Sequence, residues 1–337
     1  GSCLIRRKIM KKILTILLVL MVSFAVFAQA AAETAEKENL VIYCCGTESE
    51  AENVVEAFTA KYPNVECTII QLSSGDAVTR INTEWPKPEG DVLMLIGSEN
   101  LDQVYDKLHA YKTVNDKDIE AEYKDAKSET PKYYACSMPL QAIMYNTDLL
   151  KGDMIPTSWA DFADPKYAGM IELANPATSG SAYAQLFQMN YLYGWDFVEK
   201  VAKNNITFVS SSTKGPNDVA RGEFALTLTG EANIATAIAN GDPVAYVHPA
   251  EGTGLRTEGC AILENCKNLS AAEKFMDFMT SVEGMNTIAA CGRRPVSTKA
   301  NTPDYLPALS DMKFYEYNND DAKANKKKMQ ADFGALL

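Results

Sequence analysis

Serine-rich runs stand at points where a helix is expected to begin. Ser179, Gly180 and Ser181 come directly before a helical stretch. The first N–H groups of a helix have no partner inside it and carry the positive end of the helix dipole. Gly180 would let a ligand approach the backbone, and the two hydroxyls add donors. The run therefore predicts a cradle for a phosphate or carboxylate, with a plain N-cap at Ser179 or Ser181 as the alternative.

Two other runs have the same character. Residues 73–76 and 210–213 each follow a predicted strand and precede a predicted helix. Ligands in open α/β sheets bind beyond the carboxyl ends of the strands. Ordinary capped turns are the alternative at both places. The candidate ligand contacts here are Ser74, Asp76, Ser211 and Ser212.

The elements that must position these runs alternate along the chain. Apolar runs at 40–44, 65–72 and 92–96 predict strands, and residues 51–62 carry apolar side chains at helical spacing. Strands that alternate with helices predict a doubly wound α/β lobe with a parallel sheet. Continuous apolar strands are typical of a sheet that is covered on both faces.

A second α/β set begins near residue 170. Long extended stretches at 133–145 and after 244 indicate that the chain crosses between two lobes joined by a hinge. We expect the first lobe to comprise residues 38–137 plus 250–297, and the second 138–249 plus 298–337. Ser270 and Glu273 have the spacing of a capping box that opens a helix. Residues 326–328, three lysines, predict a solvated helix face.

Composition excludes several classes of protein. The 337 residues are 47% hydrophobic and 23% charged, which is ordinary for a globular chain and unlike a disordered or multi-span membrane protein. The formal net charge is −12. Because no basic surface is indicated, nucleic acid and anionic lipid are poor partners. A chain of this length needs no disulfide or metal to fold, and we expect a monomer.

The N-terminal residues have the pattern of a secretory leader. Basic residues at positions 6–12 precede an apolar run at 13–28, and an Ala-Gln-Ala site ends at Ala30. This predicts a signal peptide over residues 1–30, cleaved at Ala28 or Ala30, and an extracytoplasmic protein. An uncleaved anchor is the alternative. Met10 is the expected natural start, with residues 1–9 an upstream addition.

Seven cysteines follow Ala30. None of their spacings matches a zinc site, and the chain has only two histidines. We interpret these cysteines as buried free thiols that act as small apolar residues. A Cys260–Cys266 bridge across a turn is the alternative. No cofactor and no metal are expected.

Several motifs occur together and in a recognisable order. They are PTSWADF at 156–162, DPKYAG at 164–169, NPATSGSAY at 175–183, VARGEF at 219–224 and PAEGTG at 249–254. With these motifs the sequence resembles the periplasmic solute-binding proteins of ABC importers, in the subgroup that binds ferric ion, 2-aminoethylphosphonate, hexose phosphates or thiamine. The resemblance implies a type II periplasmic-binding-protein fold, a solute held between two lobes, and a partner permease in the inner membrane.

The chain departs from the ferric-binding relatives at the positions that hold iron in them. Thr47 stands where these relatives have a His, and Glu231 and Ala232 stand where they have a pair of tyrosines. Ile96 or Gly97 occupies the position of their Glu. A hard cation needs several oxygen ligands, so this set argues against iron. Thr47 stays a candidate ligand contact, and Glu231 a candidate partner for an ammonium or for sugar hydroxyls, or else a solvated acid at a helix start.

The resemblance and the serine runs together predict a receptor for a small organic phosphate or phosphonate. A ferric receptor of the same family is the alternative. An enzyme on the same two-lobe fold is a more distant one, because the sequence has no dinucleotide, P-loop or nucleophile-elbow motif. A covalent cofactor or turnover by the purified protein would identify an enzyme.

Overall fold

Strands and helices alternate through most of the chain in the computed structural model, which describes residues 37–303, 306–315 and 317–337. The predicted signal peptide lies outside the described residues. The strands are β1 (Glu38–Cys44), β2 (Val65–Gln71), β3 (Val92–Gly97), β4 (Leu108–His109), β5 (Tyr133–Ser137), β6 (Gln141–Asn146), β7 (Glu172–Ala174), β8 (Thr207–Val209), β9 (Leu226–Gly230), β10 (Val244–Val247), β11 (Thr253–Gly254), β12 (Glu258–Leu263) and β13 (Phe314–Tyr315).

The α-helices lie mainly between these strands. They are α1 (Glu48–Lys61), α2 (Ser74–Glu84), α3 (Ser98–Leu101), α4 (Gly180–Tyr193), α5 (Trp195–Ala202), α6 (Lys214–Ala220), α7 (Glu231–Ala239), α8 (Leu269–Met279), α9 (Val282–Ala290) and α10 (Asn319–Gly334). Among the described helices, none has the length and hydropathy to cross a membrane.

The first lobe is built on a mixed sheet in the order β2-β1-β3-β12-β4, with β5 also paired to β12. β1 pairs in parallel with β2 and β3, as the strand–helix alternation predicts. β12 runs antiparallel to β3, and Glu258 at its start lies opposite Gly97 at the end of β3. β12 begins at the edge of the sheet where β3 ends, so the two strands run in opposite directions. This sheet is therefore not wholly parallel.

The second lobe has a three-stranded antiparallel sheet in the order β10-β6-β9. A parallel pair, β7 and β8, lies beside it through a bridge between Ile171 and Leu226. The extended run at 133–145 is divided between β5 in the first sheet and β6 in the second. Met138 to Leu140 is therefore a short crossing between the lobes, where the sequence predicted one long extended segment.

Each sheet has its own hydrophobic core. The first core is formed by side chains between Leu40 and Met138 and again between Cys260 and Val296. The second is formed by side chains between Ile143 and Leu228, and the C-terminal helix α10 adds Ala322, Met329 and Phe333 to it. The molecule is thus a two-lobe α/β protein, as predicted, and α10 packs on the second lobe.

Two local predictions were wrong. Helix α8 begins at Leu269, one residue before the predicted cap, and Ser270 lies inside it with its hydroxyl donated to Glu38. The lysine run does not form a solvated face throughout, because Lys326 is 5% exposed while its two neighbours in the run are exposed. The face of α10 that carries Lys326 is turned inward because Ala322 and Met329, on the same side, are core residues.

The cysteines of the described chain are free thiols, and the Cys260–Cys266 bridge is not formed. Cys136 and Cys260 lie on the paired strands β5 and β12, with their sulfur atoms 3.5 Å apart. Burial raises the pKa of the Cys44 thiol to about 12. Such protonated, buried thiols contribute to packing rather than to reactivity.

Candidate functional site

A cavity of about 380 Å³ lies between the two lobes, next to the carboxyl ends of several strands. Segments after β1 and β2 line its first-lobe side, and segments after β7, β8 and β9 line the opposite side. The structure brings every predicted ligand contact to this one cavity: Thr47, Ser74, Asp76, Ser179, Gly180, Ser181, Ser211, Ser212 and Glu231.

Two helices of the first lobe point their N-termini at the cavity. Thr47 caps α1 by accepting a hydrogen bond from the N–H of Glu50, whose carboxylate in turn accepts from the N–H of Thr47. Ser73 rather than Ser74 caps α2, and its hydroxyl accepts from the N–H of Asp76 at 3.1 Å. The Ser73 hydroxyl donates to the Asp76 carboxylate. Ser74 is the first helical residue and is 9% exposed.

Helix α4 gives the opposite wall a third N-terminus. Ser179 is its N-cap and accepts from the N–H of Ala182 at 3.2 Å. Ser181 is not a cap, since its hydroxyl donates to the amide oxygen of Gln141 at 3.3 Å. Of the two alternatives for this run, the N-cap therefore applies to Ser179. The Ser181 hydroxyl does not cap the helix and can turn to a ligand.

The loop between β8 and α6 adds further hydroxyls. Ser211 and Thr213 share a hydrogen bond of 2.9 Å between their side chains. Asn233, on the first turn of α7, donates to the hydroxyl of Thr229 at 2.7 Å and lines the same cavity. This part of the wall is neutral and rich in groups that both donate and accept hydrogen bonds.

The N-termini of α2 and α4 are in direct contact in the wall of the cavity. A Cβ atom placed on Gly180 would lie 3.0 Å from the Ser74 side chain and from Nδ2 of Asn100. One placed on Gly75 would lie 3.1 Å from the carbonyl oxygen of Thr178. The two glycines therefore allow a close contact between the lobes, a role that the sequence did not indicate for either.

Glu231 is neutralised inside the protein. Arg294 donates to its carboxylate through Nε at 2.6 Å and through Nη2 at 3.1 Å. Nε2 of His248 lies 2.8 Å from the same carboxylate. Glu231 and Arg294 are 3% and 2% exposed. A carboxylate held in this way is a hydrogen-bond acceptor without a free negative charge to offer a cation.

A line of alternating charges lies beneath the first-lobe side of the cavity, and we call it the buried charge chain: Glu50, Arg293, Glu258, Arg256 and Glu99. Arg293 forms a forked pair with Glu50 at 2.7 and 2.9 Å and also bonds Glu258. Arg256 bonds Glu258 at 2.8 Å and Glu99 at 2.8 and 3.1 Å. Burial alone would raise the pKa of Glu99, but Arg256 and then Lys326 outweigh it and hold that pKa below its ordinary value.

The arginines of this region were not predicted from the sequence. Arg293 and Arg294 both line the cavity. A signal for them was present in the sequence, because two adjacent arginines stand between Gly292 and Pro295 in a chain of net charge −12. What the sequence could not give is that each arginine is already paired with a buried glutamate.

The positions that correspond to the iron ligands of relatives converge only in part, and Thr47 is one of those that line the cavity. Glu231 and Ala232 line the cavity, but Ile96 and Gly97 do not. A side chain on Gly97 would collide with the guanidinium of Arg256. In the described part of the chain, no Tyr, Trp, Phe or His side chain lines this cavity. Within that same part, no group of three His, Cys, Asp or Glu side chains has the arrangement of a metal site.

Comparison with known proteins identifies the family. The sequence pattern of the bacterial extracellular solute-binding proteins matches residues 95–325. The chain belongs to this family. Its fold is that of the type II periplasmic solute-binding proteins of ABC importers, so the resemblance seen in the motifs is confirmed. Members of the family are receptors rather than enzymes and work outside the cytoplasm.

Known proteins are similar to this solute-binding protein over most of its length. A probable ABC transporter periplasmic-binding protein of Sinorhizobium fredii, y4fP, is 26% identical over 72% of this chain and 70% of its own length. The structure of AfuA from Actinobacillus pleuropneumoniae, with fructose-6-phosphate bound, has a TM-score of 0.83. AfuA is 27% identical, and the match covers 90% of this chain and 99% of that one.

Iron-bound HitA of Pseudomonas aeruginosa shares the fold at lower identity. It is 18% identical, with a TM-score of 0.76 over 88% of this chain and 99% of HitA. At this identity the likeness concerns the fold alone.

Proposed function

We propose that this receptor binds a small organic phosphate or phosphonate in the cavity between its lobes and delivers it to the permease of an ABC importer. The anion would lie against Ser74 and residues 179–181, which we call the anion cradle. The lobes would be bounded as the sequence predicts, at 38–137 plus 250–297 and 138–249 plus 298–337, and would close on the ligand as a monomer.

The observation that supports an anion is the convergence of helix N-termini from both lobes on one polar cavity. The N-caps Ser73 and Ser179 leave the remaining first-turn N–H groups of α2 and α4 without side-chain partners. Such groups bind phosphate through partial positive charge and directed donors. Because α2 and α4 touch at Gly75 and Gly180, one anion can receive donors from both helices at once.

The other end of the ligand is better matched by hydroxyls than by an ammonium. Among the described residues that line the cavity, Glu231 and Glu258 are paired with arginines, and the Asp76 carboxylate accepts a hydrogen bond from the hydroxyl of the N-cap Ser73. Hydroxyl and amide groups fill much of the remaining wall, at 210–213 and Asn233. A phosphorylated polyol fits this set, and AfuA, with fructose-6-phosphate bound, is a relative of similar fold.

The residues that line the cavity support a ferric receptor less well than a receptor for an organic phosphate. Ferric ion prefers several anionic oxygen ligands. The described lining offers no tyrosine, and Glu231 would have to give up Arg294 to bind a metal. A reddish protein whose colour is lost on Tyr-to-Phe substitution would favour iron and contradict the organic phosphate.

Native mass spectrometry of the freshly purified protein tests the proposal. We expect a bound small molecule that carries phosphorus.

Thermal unfolding gives a second test. The protein is unfolded and refolded to remove its ligand, and its melting temperature is measured with fructose-6-phosphate, 2-aminoethylphosphonate, fructose or thiamine. A hundredfold excess over Kd stabilises the folded state by about 2.7 kcal/mol, or roughly 5–10 °C in melting temperature at 2–4 °C per kcal/mol. Stabilisation by thiamine or fructose alone would contradict the proposal.

Export remains part of the proposal. The basic and apolar residues up to Ala30 support cleavage at Ala28 or Ala30. N-terminal sequencing of protein from the native cell envelope tests this cleavage. A mature chain that retains Met10 to Phe27 would contradict it.

A further inference from the structure

Lys326 on the C-terminal helix α10 is a buried cation that joins the two lobes. Its side chain leaves the second-lobe core side of α10 and reaches the first lobe, where Nζ donates to the amide oxygen of Asn100 on α3. Its ammonium lies 5.3 Å from the ring centroid of Tyr183 on α4. Lys326 is 5% exposed and Asn100 is fully buried.

The ammonium of Lys326 has no direct carboxylate partner. Within the described chain no Asp or Glu oxygen lies at ion-pair distance from its Nζ, although other buried cations, such as Arg256 and Arg294, have one. A buried cation without an adjacent anion is costly. The Lys326 ammonium therefore needs a compensating negative charge, either from a more distant protein group or from a ligand.

The buried charge chain accounts for part of that compensation. It holds three glutamates and two arginines, so its net charge is −1. Glu99, at its end, shares a hydrogen bond of 2.8 Å with Nδ2 of Asn100, whose oxygen accepts from Lys326. With Lys326 protonated, the whole group is neutral beneath the cavity. Without that proton it leaves one negative charge there.

Lys326 also lies directly behind the anion cradle. The Asn100 side chain that accepts from Lys326 is the one that a Cβ on Gly180 would meet at 3.0 Å. One side chain therefore separates the ammonium from the first residue of α4. In a low-dielectric interior, a charge at this separation acts on an anion bound at that helix end.

We propose that Lys326 is a positioning residue for the anion: its buried positive charge attracts the phosphate through Asn100 and the N-terminus of α4, without touching the ligand. This inference rests on the proposed function. It assigns the C-terminal helix a part in ligand affinity, and it makes that affinity dependent on the protonation of a residue outside the cavity.

The protonation of Lys326 changes within an accessible pH range. Burial lowers the pKa of Lys326 to about 8, with Glu99 opposing the shift and Arg256 adding to it. Tyr183 faces it from α4, Tyr317 lies near Glu99 just before α10, and Lys323 on α10 is paired with Asp102. A phosphate monoester has its second pKa near 6 and stays dianionic above pH 7. Affinity should therefore fall as the pH rises through 8.

Isothermal titration with fructose-6-phosphate at pH 7.0 and pH 9.5 tests this inference. The variants are Lys326→Met and Lys326→Gln, and the matched control is Lys327→Met, at an exposed position on the same helix. We expect both Lys326 variants to bind about tenfold more weakly than the wild type at pH 7.0. The wild type and the control should lose a similar factor between the two pH values, whereas the Lys326 variants should not.

Several outcomes separate the possibilities. Lys326→Gln keeps a donor for Asn100, so wild-type affinity in Lys326→Gln with loss only in Lys326→Met would identify a structural hydrogen bond and overturn the inference. Wild-type affinity in both variants, or an unchanged pH dependence, would also overturn it. If wild-type protein binds neither fructose-6-phosphate, 2-aminoethylphosphonate nor inorganic phosphate, the proposed function fails and this inference fails with it. Circular dichroism establishes that each variant is folded.

Discussion

Gly180 of the second lobe packs directly against Ser74 of the first, at the point where two helix N-termini meet. A Cβ on Gly180 would lie 3.0 Å from both Cβ and Oγ of Ser74. Both residues lie in the wall of the cavity. The contact between Ser74 and Gly180 therefore lies within the wall where we propose that the anion binds.

Gly180→Ala should weaken ligand binding without destabilising the unliganded protein. The added methyl group opposes the contact with Ser74, while alanine reduces the conformational entropy of the unfolded chain, which favours folding by about 0.4–1 kcal/mol. We expect about a tenfold loss of affinity for fructose-6-phosphate by isothermal titration, and an unchanged or higher midpoint of urea unfolding. Gly334→Ala is the control, since a Cβ there meets no heavy atom within 4 Å. Full affinity in Gly180→Ala would show that the contact does not limit closure.

Ser181→Ala should remove a hydroxyl that can turn from Gln141 to the anion. A hydrogen bond to a charged group contributes about 1.5–3 kcal/mol, so we expect a loss of roughly 10- to 150-fold in affinity with little change in unfolding. Ser310→Ala, at an exposed position outside the cavity lining, is the control. If Ser181→Ala unfolds more easily yet binds as tightly as the wild type, the hydroxyl is structural and the anion binds elsewhere.

Arg294→Met should destabilise the unliganded protein. It leaves the buried Glu231 carboxylate beside His248 without its guanidinium partner. Loss of one partner from a buried ion pair costs about 3–5 kcal/mol. Urea unfolding should show this loss, and the double variant Glu231→Gln with Arg294→Met should recover part of it. Lys328→Met breaks an exposed pair with Asp332 and should cost less than about 1 kcal/mol. Equal effects of the two single variants would contradict the buried role of Arg294.

Glu172 on β7 should make stability depend on pH. Burial and then the neighbouring Asp218 raise the pKa of Glu172 to about 7, with Lys214 opposing the shift. Between its unfolded pKa near 4.5 and this value, the native state binds more protons than the unfolded state. Its contribution to the free energy of unfolding is therefore greatest below pH 4.5 and declines as the pH rises to 7.

Glu172→Gln should remove that decline. At pH 8 we expect the variant to be more stable than the wild type by up to about 3 kcal/mol, with the difference shrinking below pH 5. Urea midpoints across pH 4–8 measure it, and Glu223→Gln, an exposed position, is the control. A wild type that gains stability between pH 5 and pH 7 relative to Glu172→Gln would contradict the sign of this effect.

Local patterns in the sequence were enough to predict the segments that form the cavity. Helix N-caps and strand ends are decided by a few adjacent residues, and these placed Ser179 and Ser211 correctly between a strand and a helix. Residues 73–76 were expected to precede the next helix, but Ser73 is its N-cap and Ser74 is already its first helical residue. The alternation of apolar runs likewise predicted two α/β lobes. Because carboxyl ends of strands meet at one edge of a sheet, the convergence of these segments followed from the fold.

Contacts between distant residues could not be predicted in this way. Arg294 meets Glu231 across 63 positions of sequence, and Lys326 meets Asn100 across 226. Nothing in a run of three lysines shows which one faces the core, because that depends on how α10 packs on the second lobe. The role of Gly180 was predicted as room for a ligand, while the structure gives it a contact with Ser74 as well.

The most direct measurement of the central claim is isothermal titration of ligand-free protein with fructose-6-phosphate and, in parallel, with fructose. The two ligands share the polyol and differ in the anion, so their ratio of affinities reports the anion cradle. We predict saturable binding of fructose-6-phosphate at one site per chain and binding of fructose at least about a hundredfold weaker, a difference of about 2.7 kcal/mol. Equal affinity for both, or binding of fructose alone, would contradict an anion receptor.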